Sequence, residues 1–336
     1  MNAYFKKRLF IRLTLGISLL LLAMGCSQSN CRLDPMDEWL AQEDKIKVLS
    51  TVGMVDDLVG QVGGEYVARQ KLISGALDPH SYELVKGDNE KLMAADIIFY
   101  SGLNLEHGPS LIHYLREHPQ AVAIGDAIAR EVPTEIIQVG GQTDPHIWMD
   151  VSLWLKGVNA IVIALSQKDP EHAEAFQRNG KELQERLYKL HEEMREVLNA
   201  VPLEKRYLVT THDAFNYFVR SYLAPEEERI NGAWVVRCKA PEGLSPEGQL
   251  STTDIYHIID HLVAHRIEIL FPESNLSRDS IKKIMAACRD KGIEVRIAAT
   301  SLYADAMGEP GSDGDTYEKM MRHNAQAIAT NIQSEK

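Results

Sequence analysis

Short apolar runs alternate with amphipathic segments along the first half of the chain. Four apolar runs predict buried strands, over residues 46–52, 66–73, 97–100 and 121–124. Helical spacing of apolar positions predicts helices over residues 54–62, 89–95, 111–118 and 127–130. Strands that alternate with helices at these intervals indicate a mainly parallel sheet flanked by helices.

A long, charged helix interrupts this alternation over residues 169–200. Within it, Leu183, Leu187 and Leu190 recur at steps of four and three residues, which marks one apolar face. The stretch is long enough to span about 45 Å. Because only two heptads are present, a rigid helix that joins two domains is favoured over a coiled coil.

The alternation resumes in the second half. Strands are predicted over residues 206–211, 232–237, 267–271 and 295–298, and helices over residues 214–223, 252–265, 278–291 and 315–332. The last helix is predicted to open with a capping box formed by Asp315 and Glu318. The pattern therefore predicts an α/β protein with two domains, 45–168 and 201–336, joined by the helix 169–200.

The N-terminal segment has the features of an export signal. Basic residues precede an apolar stretch over 13–24, which is short for a membrane-spanning helix. Residues 22–26 resemble the lipobox of bacterial lipoproteins, in which Cys26 becomes the lipidated first residue of the mature chain. We therefore expect a signal peptide over 1–26, a tether over 27–44, and a lipid anchor that holds the protein at the cell envelope, in a periplasm or at the cell surface. A plain secretory signal with an unrelated Cys26 is the alternative.

The net charge of the chain disfavours one class of binding partner, and the cysteines limit the kinds of cysteine site that can form. Acidic residues outnumber basic ones by 48 to 36, and this net charge of -12 disfavours nucleic-acid binding, which needs a basic surface. Cys31, Cys238 and Cys288 remain after processing, and an oxidising compartment leaves a bridge between the last two open. No CxxC motif is present, which disfavours a cysteine zinc site.

Three histidines occupy positions that favour ligand binding. His80 and His146 each follow Asp-Pro in a loop, and His212 follows a predicted strand. Ligands of open α/β sheets bind beyond the carboxyl ends of strands, and the proline fixes the backbone before the histidine. The other nine histidines are interpreted as surface or structural residues: His107, His113, His118, His172, His191, His257, His261, His265 and His323.

A carboxylate near the C-terminus is a fourth candidate. Asp305 lies in the loop after the predicted strand 295–298. It competes with Asp313 and Asp315, which have the spacing of turn and cap residues and do not form an EF-hand loop. Imidazole nitrogens together with a carboxylate suit zinc, iron and manganese.

Five motifs, taken together, resemble one protein family. They are Asp-Pro-His80, Asp-Pro-His-Ile-Trp148, Thr-His212-Asp-Ala-Phe-Asn-Tyr-Phe218, Gly243-Leu-Ser-Pro-Glu247 and Gly-Asp-Thr-Tyr317 with His323-Asn324. In order and spacing they resemble the metal-specific solute-binding lipoproteins of ABC importers. These are the TroA-like manganese, iron and zinc receptors, including a chlamydial-type branch.

The resemblance implies a site, a cargo and a partner. It implies that His80, His146, His212 and Asp305 bind one divalent transition metal, Mn, Fe(II) or Zn, in the cleft between the domains. The expected protein is a monomer, without enzymatic activity, that delivers the metal to a permease driven by a cytoplasmic ATPase. The chain lacks the His-rich acidic loop of many zinc receptors, which disfavours a dedicated zinc scavenger. The physiological metal and the binding mode of Asp305 stay open.

Two other functions are compatible with parts of the sequence. A surface adhesin or structural lipoprotein would explain the anchor but leaves converging histidines without a role. A zinc hydrolase would need an open coordination position for water, and neither HExxH nor GxSxG is present.

Overall fold

The computed structural model describes residues 35–246 and 251–333. A short helix, α1 (Pro35–Leu40), lies in the segment predicted as a tether, so ordered structure begins earlier than the predicted residue 45. The predicted signal peptide and lipidation site at Cys26 lie outside the described residues. Residues 42–336 form one compact unit. Across the two described ranges, none of the helices combines the length and apolar character needed to cross a membrane.

A four-stranded parallel sheet forms the core of the N-terminal lobe, residues 42–168. Its strands are β1 (Ile46–Ser50), β2 (Val67–Lys71), β3 (Ile97–Tyr100) and β4 (Ala121–Ala123), in the order β2-β1-β3-β4. Val48 and Leu49 in β1 are fully buried, as expected for a central strand covered on both faces. The flanking helices are α2 (Gly53–Gly63), α3 (Asp88–Ala94), α4 (Pro109–Glu117) and α5 (Ile124–Glu131). The predicted parallel α/β arrangement is confirmed here.

A small hairpin and three short helices lead from this sheet to the linking helix. Strands β5 (Gln138–Val139) and β6 (Gln142–Thr143) pair antiparallel around Gly140 and Gly141. Both glycines have positive φ, of 58° and 84°, which a two-residue hairpin turn of this type requires. The following helices are a 3-10 turn (Ile147–Met149), α6 (Val151–Trp154) and α7 (Val158–Lys168).

The linking helix, α8 (Ala173–Asn199), has 27 residues, about 40 Å at 1.5 Å per residue. Leu183, Leu187 and Leu190 are fully buried, so the predicted apolar face is present. This face packs on α2 and α7 of the N-terminal lobe and on the last helix of the chain. The linking helix is therefore packed against these three helices and is not an exposed connection.

Two pairs of parallel strands form the C-terminal lobe, residues 201–333. Strand β7 (Leu208–Val209) pairs with β8 (Cys238–Lys239), and β9 (Ile269–Leu270) pairs with β10 (Arg296–Ile297). The N–H of Phe271 donates to Val209 O at 2.8 Å, which joins the two pairs. The helices are α9 (Asn216–Phe218), a π-helical turn (Val219–Leu223), α10 (Glu226–Asn231), α11 (Thr252–His265), α12 (Asp279–Asp290) and α13 (Tyr317–Gln333).

The strand predicted over residues 232–237 was wrong. That segment is a 3-10 helix, Ala233–Arg237, and the strand β8 begins only at Cys238. Two neighbouring valines, Val235 and Val236, gave the segment a strand-like composition, yet both are exposed. The buried Arg237 guanidinium instead binds the carboxylate of Glu228.

The predicted capping box at the last helix was also wrong. The hydroxyl of Thr316, rather than the carboxylate of Asp315, accepts the N–H of Lys319 at 3.3 Å. Asp315 binds the Lys319 ammonium. A complete capping box forms instead at α11, where Ser251 and Asp254 exchange hydrogen bonds.

Two cysteines of the C-terminal lobe lie in the described ranges. Cys238 and Cys288 are both buried and both free. The structure therefore places no bridge between them.

Candidate metal centre

Four side chains from separate segments converge at one buried point. His80 lies in the loop after β2, His146 directly precedes the 3-10 turn, His212 follows β7 and Asp305 follows β10. Their exposures are 1%, 0%, 0% and 3%. One ligand atom from each side chain lies within 4.8 Å of all the others. The structure thus brings together all four residues that the sequence singled out.

The polar atoms of this cluster face each other at short distances. His212 Nε2 lies 3.1 Å from Asp305 Oδ2, and His146 Nε2 lies 3.4 Å from Asp305 Oδ1. His80 Nε2 is 3.6 Å from Asp305 Oδ2 and 3.3 Å from His146 Nε2. Each imidazole nitrogen this close to the others and to the carboxylate must either donate a proton in a hydrogen bond or turn its lone pair towards a cation.

The two Asp-Pro-His motifs form the same local turn. The N–H of His80 donates to Asp78 Oδ1 at 2.9 Å, and the N–H of His146 donates to Asp144 Oδ1 at 2.9 Å. Asp144 Oδ1 also lies 2.8 Å from His146 Nδ1, whereas His80 Nδ1 lies 3.2 Å from Ser245 Oγ. The carboxylate holds the proton of His146 on Nδ1, so the Nε2 lone pair points into the cluster.

His212 is oriented by a carboxylate that sequence reasoning missed. Glu273 Oε1 accepts the N–H groups of Thr211 and His212, both at 2.9 Å, while Oε2 binds His212 Nδ1. Glu273 is 2% exposed and lies 61 residues further along the chain. Its only sequence signal is its position just beyond the predicted strand 267–271, at the same carboxyl edge as His212.

Asp144 is itself held by residues of the C-terminal lobe. Asn216 Nδ2 donates to Asp144 Oδ2 at 3.0 Å and to Asp213 Oδ1 at 3.0 Å. Tyr217 donates its hydroxyl to Asp144 O at 3.2 Å. Burial and the charge of Asp144 raise the pKa of Asp213 to about 6. The amide of Asn216 thus lies between the buried carboxylate of Asp144 and the half-buried one of Asp213, and fixes the one that orients His146.

Trp148 connects the loop of His146 to the loop of Asp305. Its Nε1–H donates to Ala304 O at 3.1 Å, and its ring meets that of His146 edge-on at 5.3 Å. Thr211, the other neighbour of interest, contributes its backbone N–H to Glu273, while its buried hydroxyl has no hydrogen-bond partner in the structure.

The charges of the cluster are strongly coupled. Burial opposes the charge of Asp305, yet His212 and the other two histidines hold the pKa of Asp305 well below its usual range. Burial also disfavours charged histidine, yet Asp144 and Asp305 raise the pKa of His146 to about 9. Glu273 and Asp305 overcome burial to raise the pKa of His212 well above its usual range, while burial lowers that of His80. Without a metal, protons on His146 and His212 therefore offset the negative charges of the carboxylates beside them.

A cavity of about 440 Å³ opens against His80. His107, Gln142 and Ser245 are among the residues that line it, and the rings of His80 and His107 are 5.6 Å apart. The cavity places solvent-accessible space next to the otherwise buried cluster.

Three imidazoles and a carboxylate, buried together beside α/β elements and a long helix, form a group that could hold a metal ion. The family described as ZnuA, zinc-uptake complex component A, periplasmic, matches residues 48–331. The chain belongs to this family, whose members are metal-binding receptors of ABC uptake systems and not enzymes. The predicted class of protein is thereby confirmed.

Relatives and solved structures agree with this assignment. The chain is 36% identical to the metal-binding protein YtgA of Chlamydia trachomatis serovar D over 327 residues, which cover 97% of this chain and 96% of that protein. It is 35% identical to the manganese-binding lipoprotein MntA of Bacillus subtilis over 289 residues, covering 85% and 89%. The crystal structure of Fe(III)-bound YtgA from Chlamydia trachomatis matches with a TM-score of 0.81 at 36% identity, covering 86% of this chain and 98% of that one.

Proposed function

We propose that His80, His146, His212 and Asp305 capture one transition-metal ion, which the protein delivers to the permease of an ABC importer. The observation that carries the ligand assignment is the convergence of three Nε2 atoms on a buried carboxylate. Both oxygens of Asp305 are buried and lie 3.1–3.6 Å from imidazole nitrogens, without the geometry of a complete hydrogen bond. Buried carboxylate oxygens without partners are costly unless a cation binds them.

The donor set favours more than four-fold coordination. Asp305 Oδ1 faces His146, and Asp305 Oδ2 faces His80 and His212, so both oxygens are directed at the centre. With both oxygens bound, three nitrogens and two oxygens would surround the ion. Five donors suit manganese or iron better than the four-coordinate tetrahedron that zinc prefers in closed sites. YtgA was crystallised with Fe(III) and MntA is named for manganese, which supports the same choice.

We further propose that the mature protein is a monomer tethered to the envelope through lipidated Cys26. The order of basic residues, apolar stretch and small residues before Cys26 supports the anchor, and MntA is named as a lipoprotein. Metabolic labelling with a radioactive fatty acid tests the anchor, because Cys26→Ala should abolish the label. Sedimentation of the mature chain tests the monomer.

Metal analysis by mass spectrometry tests the ligand assignment. The mature chain is offered Mn, Fe(II) and Zn in competition and is then washed with a weak chelator. One ion should be retained per chain, lost in His146→Ala and kept in the control His118→Ala, which changes a histidine outside the cluster. A His146→Ala chain that retains the ion would contradict the assignment. Deletion of the protein should abolish metal uptake if it is a receptor, whereas deletion of an adhesin should leave uptake intact.

A further inference from the structure

Helix α11 carries three histidines at four-residue intervals. His257, His261 and His265 follow one another at this spacing, which places them along one stripe of the helix. The adjoining face, with Ile258, Ile259 and Leu262, is buried in the apolar core of the C-terminal lobe. His257 is exposed, His261 and His265 are half-buried at the border of that core, and none of the three belongs to the buried cluster.

Two of these histidines have the mutual geometry of metal ligands. The ring centroids of His261 and His265 are 4.7 Å apart, with an angle of 57° between the ring planes. Within the buried cluster, the rings of His146 lie 5.2 Å from those of His80 and of His212, at angles of 53° and 68°. The pair therefore has nearly the ring spacing of the proposed buried site, and histidines four residues apart on one helix face are a known pattern for binding one ion.

The surroundings hold both rings in a state suited to ligation. Tyr207 stacks on His265 at 4.5 Å and 23°, which restricts rotation of that ring. His261 Nε2 is buried and has no hydrogen-bond partner in the structure. Burial, together with the charges of His265 and Lys239, lowers the pKa of His261 to about 4. Neutral imidazole is the form that binds metals, so no proton has to leave His261 at neutral pH.

We propose that His261 and His265 form a second, surface site for divalent ions that prefer imidazole, such as Zn²⁺, Ni²⁺ and Cu²⁺. Two nitrogen ligands leave the remaining positions to water, so this site holds its ion more weakly than the buried cluster. Mn²⁺ stands at the weak end of the affinity order and favours oxygen ligands, so it does not occupy the pair. The cation of Lys239 opposes binding, since its charge acts on His261.

Titration calorimetry on the full chain carrying His80→Ala, His146→Ala and His212→Ala tests this site, because three of the four proposed ligands of the buried site are then missing. Zn²⁺ should bind at one site per chain, and Mn²⁺ should show no binding. Either His261→Ala or His265→Ala should weaken Zn²⁺ binding at least about tenfold, since even the loss of an indirect partner costs about 10–100-fold. His257→Ala, on the exposed preceding turn of the same helix, is the matched control and should change nothing. Lys239→Gln should tighten binding.

Absence of Zn²⁺ binding in the chain that lacks the three buried histidines would overturn the proposal, as would binding that survives both His261→Ala and His265→Ala. Circular dichroism checks that each variant is folded. The result is independent of the buried site. In the chain without substitutions, failure of the buried site would appear as loss of Mn²⁺ binding, and failure of the surface site as one Zn²⁺ instead of two.

Discussion

Glu273 offers the sharpest test of how the protein prepares His212 for a metal. Its carboxylate accepts two backbone N–H groups through one oxygen and binds His212 Nδ1 through the other. Glu273→Gln keeps the shape but replaces one oxygen by a donor. If the amide nitrogen faces His212, the ring must carry its proton on Nε2 and loses the lone pair that binds the ion. If it faces the backbone, two N–H groups lose their acceptor and meet another donor.

Either orientation should weaken metal binding by about 10–100-fold, which corresponds to about 1.4–2.8 kcal/mol. The deficit should depend on pH. Glu273 raises the pKa of His212, so in the unsubstituted protein a proton competes with the metal at neutral pH. Glu273→Gln removes this effect on the pKa of His212, so fewer protons compete with the metal and part of the lost affinity is recovered at neutral pH. The deficit should therefore grow as the pH is raised from 6.5 to 9.

Competition between the protein and a chelator of known affinity measures the metal affinity at each pH. Mn²⁺ is the probe because His261 and His265 should not bind it. Glu268→Gln, which changes an exposed carboxylate just before β9, is the matched control and should leave the affinity unchanged. An unchanged affinity in Glu273→Gln at every pH would refute the role of Glu273. A deficit that does not vary with pH would refute the electrostatic coupling.

Three further predictions address protons, packing and the support of the site. Because the pKa of His146 is raised to about 9 and that of His212 is also raised, loading the site at pH 7 should release about two protons, and affinity should rise with pH towards 9. Calorimetry in buffers of different ionisation enthalpy counts the protons, and no release would contradict the coupling. Asn216→Ala should lower the free energy of unfolding by about 1–3 kcal/mol, because the buried Asp144 and the half-buried Asp213 lose their shared donor. Leu187→Ala should cost about 2–5 kcal/mol in urea unfolding, whereas Tyr188→Ala, at an exposed neighbour, should cost less than about 0.5 kcal/mol.

Local features account for what could be predicted of the site. The Asp-Pro-His motif predicts its own geometry, since the aspartate accepts the N–H two residues later in both His80 and His146. Strand ends in a parallel sheet meet at one edge, which explains why His212 and Asp305 lie near each other. The two rules single out the three histidines, whereas the family resemblance is what selects Asp305 over Asp313 and Asp315.

Features that depend on which polar groups become buried could not be predicted in this way. The segment Ala233–Arg237 has the composition of a strand, but the buried ion pair of Arg237 with Glu228 and the positive φ of Gly232, 81°, favour a 3-10 helix. Glu273 reaches His212 across 61 residues, and no spacing in the sequence records that contact. The periodic pattern of a segment indicates which face is buried. The 3-10 helix and the contact between Glu273 and His212 depend instead on which polar groups are buried beside that face.

The hydrogen bonds around His146 join its loop to residues far along the chain. The loop 144–151 belongs to the N-terminal half by its place in the chain. Its partners nevertheless lie in the C-terminal half: Asn216 donates to its carboxylate at 3.0 Å, the hydroxyl of Tyr222 accepts a backbone N–H at 3.1 Å, and that of Tyr317 donates to a backbone carbonyl at 2.6 Å. Each bond contributes about 0.5–1.5 kcal/mol, and breaking one without a replacement partner in a buried site costs more. The loop that presents His146 is therefore fixed to the same lobe that presents the carboxylate and the third imidazole.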